Sequence, residues 1–295
     1  MKKYIYRLIN KLGYKIENRQ HTLDKEMVYL SKFKIIENSN LLYRARVYVK
    51  KIDSFYPDLK IKNHLNGFIF SFSDVSIFVE SPEEIFIISE VFVEYDYNFI
   101  STEKCIVIDI GANIGISSLF FSRLPFVDKI YSFEPVSETY QQAKNNLSLN
   151  EKINKVEQLN NFGLGKNNRS EIFIFNKEMK GNTGVRGLLS PSYAANSNNF
   201  IEVEVSIRDT SEIITQIKNE NKVEKIVVKM DCEGAEYEIF ENLTKSGVLN
   251  NVDIFMIEWH DKGSSVIEEA LKKANFNCFS RNLGPNSGMI HAYKN

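Results

Sequence analysis

Through the second half of the chain, apolar runs of strand length alternate with helix-period segments. The runs CIVIDI (105–110), KIYSFE (129–134), KIVVKMD (225–231) and VDIFMIE (252–258) read as buried strands. Helical patterns fall at 114–122, 137–150, 235–245 and 266–274. Ser137 is a candidate N-cap, Asp209-Thr210-Ser211-Glu212 and Ser265-Val266-Ile267-Glu268 have the form of capping boxes, and Gly247 follows its helix as a stop. KVEQL (155–159), EIFIF (171–175) and the strictly alternating IEVEVSI (201–207) add strands. Two more, near 276–280 and 288–293, have no helix between them, so the last pairs antiparallel with its predecessor. The alternation predicts an α/β fold, Rossmann-like, with a mostly parallel sheet and helices on both faces.

The first hundred residues carry fewer signals. Residues 4–15 and 22–36 have amphipathic spacing, and GFIFSFSDVSIFV (67–79) reads as a hairpin. Ser81-Pro82-Glu83-Glu84 supplies a cap, a first-turn proline and a capping-box glutamate, for a helix running to about Asn98. A boundary is expected near residue 80, between a mixed α+β N-terminal extension (1–80) and the main domain (81–295). The stretch 176–199, rich in Gly, Asn and Ser, is long for a plain connection and reads as a lid or an insertion.

At 295 residues the length suits one large domain or a domain with an extension. Lys and Arg number 37 against 38 Asp and Glu, so net charge offers no general grip on nucleic acid, which is not an expected partner. No segment reaches the ~18 uninterrupted apolar residues of a membrane span. The start MKKYIYRLINKLGY is broken by Arg7, Asn10 and Lys11 and does not read as a signal peptide. Cys105, Cys232 and Cys278 are widely separated and read as reduced core residues, so a cytoplasmic protein is expected.

The chemistry begins at Asp109-Ile110-Gly111-Ala112-Asn113-Ile114-Gly115, which leaves a buried strand and opens a helix. In an open parallel sheet, ligands sit outside the carboxyl ends of the strands. Gly111 and Gly115 let the backbone turn tightly and approach a ligand. The next strand ends in Glu134, 134 − 115 = 19 residues beyond Gly115, near the ~20 of a ribose-binding carboxylate. The dinucleotide fingerprint needs glycines where Asn113 and Ile116 stand. Asp109 is a poor neighbour for pyrophosphate but suits a cationic amino-acid group. The combination favours S-adenosylmethionine (SAM) over NAD.

VIDIGANIGISSLFF, YSFEP, VVKMDCEGAEYEIFENL and FMIEWH, preceded by ISEVFVEYDYNF, together resemble the FkbM family of class I SAM-dependent methyltransferases. The resemblance spans about residues 68–293 and leaves 1–67 unassigned. It implies SAM as cofactor, a seven-stranded sheet with an antiparallel last strand, and O-methylation of saccharide or natural-product hydroxyls. Matched motif to motif, Asp109, Gly111, Asn113 and Gly115 would hold the methionine portion and Glu134 the ribose. Asn161 and Phe162 would lie at the adenine. Tyr97 and Glu90 would close over the cofactor, although Tyr97 reads equally as a core aromatic.

A hydroxyl acceptor must lose its proton or have its oxygen polarised by a metal. Asp231-Cys232-Glu233-Gly234-Ala235-Glu236 and Glu258-Trp259-His260-Asp261 close two strands whose tips face the SAM loop. His260 suits a general base and reads equally as a structural histidine. Asp231 with Glu233 or Glu258 can hold Mg²⁺ through oxygen, although no tight ligand motif such as HExxH is present. Glu233 also suits a helix N-terminus, Glu236 and Glu238 read as solvated helix residues, Trp259 as packing and His291 as a sheet residue. Two competing readings are a nucleic-acid or protein N-methyltransferase and a non-catalytic SAM-fold assembly partner. Asp231-Cys232-Glu233-Gly234 lacks the prolines common at that strand tip in the N-methylating enzymes. YIYRLINKLGYKI is a candidate docking helix for a homo-oligomer.

Overall fold

The computed structural model describes residues 28–35, 37–187, 200–221 and 225–295, together with residue 11. The helix expected at 4–15 (except residue 11), residues 22–27 and 36 of the helix expected at 22–36, and the 188–199 part of the long loop lie outside the described residues; the described part of the second helix stays helical to Leu30 and ends in a short 3-10 turn, Ser31–Phe33. In chain order the elements are α1 (Ser39–Arg44), α2 (Arg46–Phe55), β1 (Lys60–His64), β2 (Gly67–Phe72), β3 (Val75–Val79), α3 (Pro82–Ser89), β4 (Cys105–Ile110) and α4 (Ile116–Ser122). There follow β5 (Val127–Phe133), α5 (Ser137–Ser148), β6 (Val156–Asn160), β7 (Gly163–Gly165), β8 (Arg169–Phe175), β9 (Ile201–Asp209) and α6 (Thr210–Glu220). The chain ends through β10 (Lys225–Met230), α7 (Glu236–Ser246), β11 (Ile254–His260), α8 (Ser265–Lys273), β12 (Phe276–Asn282) and β13 (Ser287–Lys294).

Seven strands form the central sheet in the order β12-β13-β11-β10-β4-β5-β6. The inner pairs are parallel, and only β13 runs antiparallel, to β11 on one side and β12 on the other. β4 and β10 lie side by side, Asp109 opposite Lys229 and Ile110 opposite Met230, so their carboxyl ends open together. Every residue of β4 is buried, Asp109 included, as its otherwise apolar run requires.

EIFIF and IEVEVSI do not join this sheet. β8 and β9 pair antiparallel with each other, and the short β7 pairs parallel with β9, in a separate three-stranded sheet. The reason is in the alternation: β9 buries only Val205 and Ile207, one face's worth, and cannot fill a place covered on both sides.

The hairpin expected at 67–79 is present as β2 and β3, and β1 extends it to a three-stranded meander. β1 (KIKNH) buries only Ile61, which is why no strand signal stands out. Helices α1 and α2 are likewise additions to the expected elements. The capping box of α3 forms: Ser81 Oγ accepts from Glu84 N–H at 3.2 Å and Glu84 Oε2 from Ser81 N–H at 3.3 Å. The helix is shorter than expected, passing into one wide turn (Glu90–Glu94) and closing at Tyr95, φ 59°. Two caps also differ. Ser137 is already helical and gives its hydroxyl to Asn161, and Ser264, not Ser265, precedes α8. Asp209 caps α6 by accepting from Ser211 and Glu212 N–H.

Two apolar clusters pack the faces of the central sheet. One joins α2, β2 and α3 to α4 and the β4 side, with Phe68, Phe92 and Phe121 fully buried. The other holds α7 and α8 against β10 and β11 through Ile239, Phe240 and Phe255. Among the described residues no helix is long and apolar enough to cross a membrane.

Candidate functional site

At the end of β4 the chain folds sharply back. Gly111 and Ala112 N–H both donate to Phe133 O at 3.0 Å. Gly111 has φ +76°, and a Cβ there would lie 1.8 Å from the Asp231 carbonyl oxygen, so glycine is required twice over. Asn113 also sits at positive φ (49°), as does Glu233 (48°) at the tip of β10. Backbone held in this region by non-glycine residues marks strand tips shaped for something other than stability.

A cavity of about 540 Å³ opens above these tips. It is lined by Gly111 and Asn113, by Glu90 and Tyr97, by Asp231 and Glu233, and by Glu258 and His260. Its far wall is the β12–β13 turn, Leu283 to Ser287, and part of its roof is Gly181, Asn182 and Arg186. Beside it lies a narrow slot of about 50 Å³ that shares Gly111, Asn113, Asp231 and Glu233. The slot is walled by Glu134, Pro135, Leu164, Phe173 and Ile207.

Asp109 is fully buried and lines neither space. Its Oδ2 accepts from Ser117 and Ser118 hydroxyls at 2.7 and 2.6 Å, and Lys229 Nζ stands 3.4 Å from its Oδ1. Lys229 Nζ also donates to Gly111 O at 2.6 Å. Asp109 therefore braces the bend from behind, through Lys229. Burial opposes the Lys229 charge, but Asp109 and Asp231 outweigh it and raise its pKa. Gly115 is also off the cavity; at φ +86° it sets α4 against Ala143.

Glu134 reaches the slot as expected. It accepts from Asn113 N–H at 3.0 Å and Val136 N–H at 2.9 Å, and burial outweighs these bonds to push its pKa up to about 7. Asn161 and Phe162 do not line it. The Asn161 amide clamps the backbone, donating to Glu134 O and Pro135 O at 3.0 Å each. Phe162 turns onto Phe133, ring centroids 5.5 Å apart, under the Arg208 guanidinium. Leu164, Phe173 and Ile207 supply the apolar wall instead.

Tyr97 and Glu90 both face the cavity. Tyr97 OH donates to Asp231 Oδ2 at 3.0 Å, and Lys229 Nζ lies 5.1 Å from its ring centre. Burial, then Glu258, Asp96 and Asp231, push the Glu90 carboxyl up to about 9.

His260 is 3% exposed. Its Nδ1 pairs with Glu236 Oε1 at 3.1 Å, and its Nε2 stands 3.6 Å from Glu233 and 3.7 Å from Glu258. Burial disfavours its charge, but Glu236, Glu233 and Asp231 outweigh it and raise its pKa to about 10. With no cation in the cavity, the carboxylates around His260 therefore favour its protonated form. Burial pushes Glu233 up to about 7 and, with Asp231, Glu258 to about 8.

Sequence reasoning missed four contributors. Glu236 is fully buried, not solvated, and also accepts from the N–H groups of Cys232 and Gly234. Lys229, a charge inside an apolar strand, was itself a signal, since a buried lysine needs partners. Arg186 is bidentate to Asp261 and bonds Glu233 at 2.8 Å. Lys180, fully buried, meets Glu80 at 2.5 Å and Glu84 at 3.0 Å and ties the roof segment to α3. No spacing rule pairs these distant residues.

The residues present fit SAM. Among the described residues Asn113 Oδ1 is buried with no hydrogen-bond partner, Glu134 faces the slot bounded by Leu164, Phe173 and Ile207, and only glycine fits at the bend. Sheet and site define a class I SAM-dependent methyltransferase. Residues 109–278, more than half the chain, match the Methyltransferase FkbM domain, and the chain belongs to that family. It is 25% identical over 184 residues to Methyltransferase 1 of Beauveria bassiana, covering 58% of this chain and 72% of that one. It is 24% identical over 212 residues to Methyltransferase sdnD of Sordaria araneosa, covering 65% and 82%. The solved structure of Methyltransferase FkbM from Methylobacillus flagellatus superposes with a TM-score of 0.46 at 13% identity, covering 91% of this chain and 58% of that one.

Proposed function

We propose that this methyltransferase acts on a hydroxyl group of a saccharide or small natural product. The carrying observation is the gathering of Asp231, Glu233, Glu258 and His260 on one wall of the cavity that the Gly111 bend also lines. A hydroxyl is a poor nucleophile until its proton is taken, and this wall supplies proton acceptors where the acceptor must sit. Its rim, with Asn182, Asn286 and Ser287, suits a polyhydroxylated molecule of modest size.

SAM supplies an electrophilic methyl group on sulfur. The chain's part is alignment and proton removal. Glu134 keeps acceptor capacity for ribose hydroxyls beyond its two backbone bonds, and Leu164, Phe173 and Ile207 accept the adenine face. Gly111 and Asn113 border the methionine portion, with Glu90 and Tyr97 closing the opposite side. Glu233, anchored by Arg186, takes the acceptor's proton, while Asp231 and His260 orient the acceptor oxygen. We read residues 1–80 as an extension to the catalytic domain 81–295. The three free cysteines support a cytoplasmic protein.

Incubation with methyl-labelled SAM and a panel of sugars, glycosides and hydroxylated natural products tests this. Label recovered as an alkali-stable ether on oxygen is the expected result, with a loss of about 10²–10⁴-fold in Glu233→Gln. Label found only on nitrogen would overturn the reading.

A further inference from the structure

We propose that Asp231, Glu258 and His260 form a binding site for one divalent cation of the Mn²⁺ type, placed to hold two oxygens of the acceptor. This rests on the O-methyltransferase reading and adds to it a metal and a substrate class.

The geometry comes first. One carboxylate oxygen from each acid and one ring nitrogen of His260 all lie within 4.8 Å of one another. Around an ion with bonds of about 2.1 Å, neighbouring donors stand about 3 Å apart and opposite ones about 4.2 Å, so small side-chain rotations close the set. The three residues come from the tips of β10 and β11, adjacent parallel strands, so their spacing is fixed by the sheet.

The second observation is independent of the acids. His260 is 97% buried (3% exposed), lines the cavity, and makes no hydrogen bond through Nε2 among the described residues. Its other nitrogen is held by Glu236, which two backbone N–H groups hold in turn. A carboxylate behind a histidine, fixing its tautomer so that the far nitrogen points outward, is the usual support of a metal-bound imidazole. Asp231 is supported likewise, its Oδ2 taking the Tyr97 hydroxyl and leaving Oδ1 for an ion.

Charge points the same way. Asp231, Glu233, Glu258 and Glu90 all line the cavity, whereas Arg186 is committed to Asp261 and Glu233, and Lys229 chiefly to Asp109 and Gly111 O. Among the described residues, Arg186 apart, only Lys229, 4.0 Å from Asp231, and His260 itself offset this crowding, and a dication bound by His260 would replace the latter's charge with a larger one. Two carboxylates with one imidazole suit Mn²⁺ better than Mg²⁺, which favours oxygen throughout. Three protein donors leave about three of six positions open. An acceptor with adjacent oxygens, a vicinal diol or a hydroxy acid, would fill two of them, and the bound hydroxyl would lose its proton more readily.

The test needs no acceptor. Full-length protein, stripped with EDTA, is titrated with Mn²⁺ while the free-ion EPR signal is followed, and SAM binding is measured separately by calorimetry. One Mn²⁺ per chain is expected, weakened at least tenfold in Asp231→Asn and His260→Ala. Pulsed EPR of the wild-type complex should show nitrogen coupling from one imidazole, a readout that survives even if a variant fails to fold. No Mn²⁺ bound at millimolar concentration, or bound Mn²⁺ without nitrogen coupling, overturns the site. If SAM binds regardless, the loss falls on the metal alone; if SAM does not bind, it falls on the methyltransferase reading.

Discussion

Glu236 Oε1 lies 3.1 Å from His260 Nδ1, joining the first turn of α7 to the tip of β11. Glu236 is wholly buried and also caps the Cys232 and Gly234 N–H groups. Glu236→Ala removes three partners at once and leaves a buried imidazole uncompensated. Urea unfolding should show a loss of about 3–5 kcal/mol. Glu236→Gln, which keeps an acceptor oxygen, should lose less than half of that. Equal losses in the two variants would show that the charge and its geometry are irrelevant.

SAM affinity should depend on pH through Glu134. Its carboxyl is raised from 4.5 to about 7 in the fold, so its ionised form costs stability increasingly as pH climbs between those values, and the cost is then constant above 7. In the proposed role, the ionised form is the one that would accept ribose hydroxyls. Calorimetry should therefore find SAM binding tightening as pH rises from 6 to 8, by up to about tenfold per unit below the pKa. Glu134→Gln should bind weakly and with no such slope.

Two glycines with nearly equal φ should behave oppositely. At Gly111 an added Cβ meets the Asp231 carbonyl oxygen at 1.8 Å, whereas at Gly247, φ +75°, it meets nothing within 4 Å. Gly111→Ala should abolish SAM binding and destabilise the fold by more than ~3 kcal/mol, in the range of severe steric defects. Gly247→Ala should cost only the left-handed backbone strain, about 1 kcal/mol. Similar melting temperatures for the two variants would refute the steric account.

Lys180→Met should be costly because Glu84, fully buried, loses its cation. The expected loss is about 3–5 kcal/mol near pH 8. Burial already raises the Glu84 pKa, so lowering pH protonates it and the defect should shrink by pH 5. Thermal unfolding at the two pH values decides this.

The central sheet was legible because a strand covered on both faces must be mostly apolar, and CIVIDI and VDIFMIE are, save for Asp109 and for Asp253 and Glu258 near the ends of the second. β1 was not, since one buried isoleucine in five residues leaves no period to detect. The cofactor bend was legible in Gly111 and Asn113 because its backbone demands show in residue type. Spacing places Asp109 and Asn161 at the strand tips, but it could not foresee their contacts, with Ser117, Ser118 and Lys229 for Asp109 and with Glu134 O and Pro135 O for Asn161, because only packing sets them. Glu236, Arg186 and Lys180 owe their roles to partners 24 to 100 positions away, a distance no local rule spans. One of them, Glu236, was hidden further by sharing a helix with the exposed Glu241; Glu238, also read as solvated, instead pairs with Arg169 at 2.6 Å and lines the slot.

The turn from Leu283 to Ser287 walls the cavity from the strand pair at the sheet's far margin, remote in sequence from the Gly111 bend. A hairpin tip can change its residues, or its length, without disturbing the strands that carry it. If the acceptor enters this cavity as proposed, exchanging the five residues of that tip should alter which molecule is methylated while leaving SAM affinity unchanged.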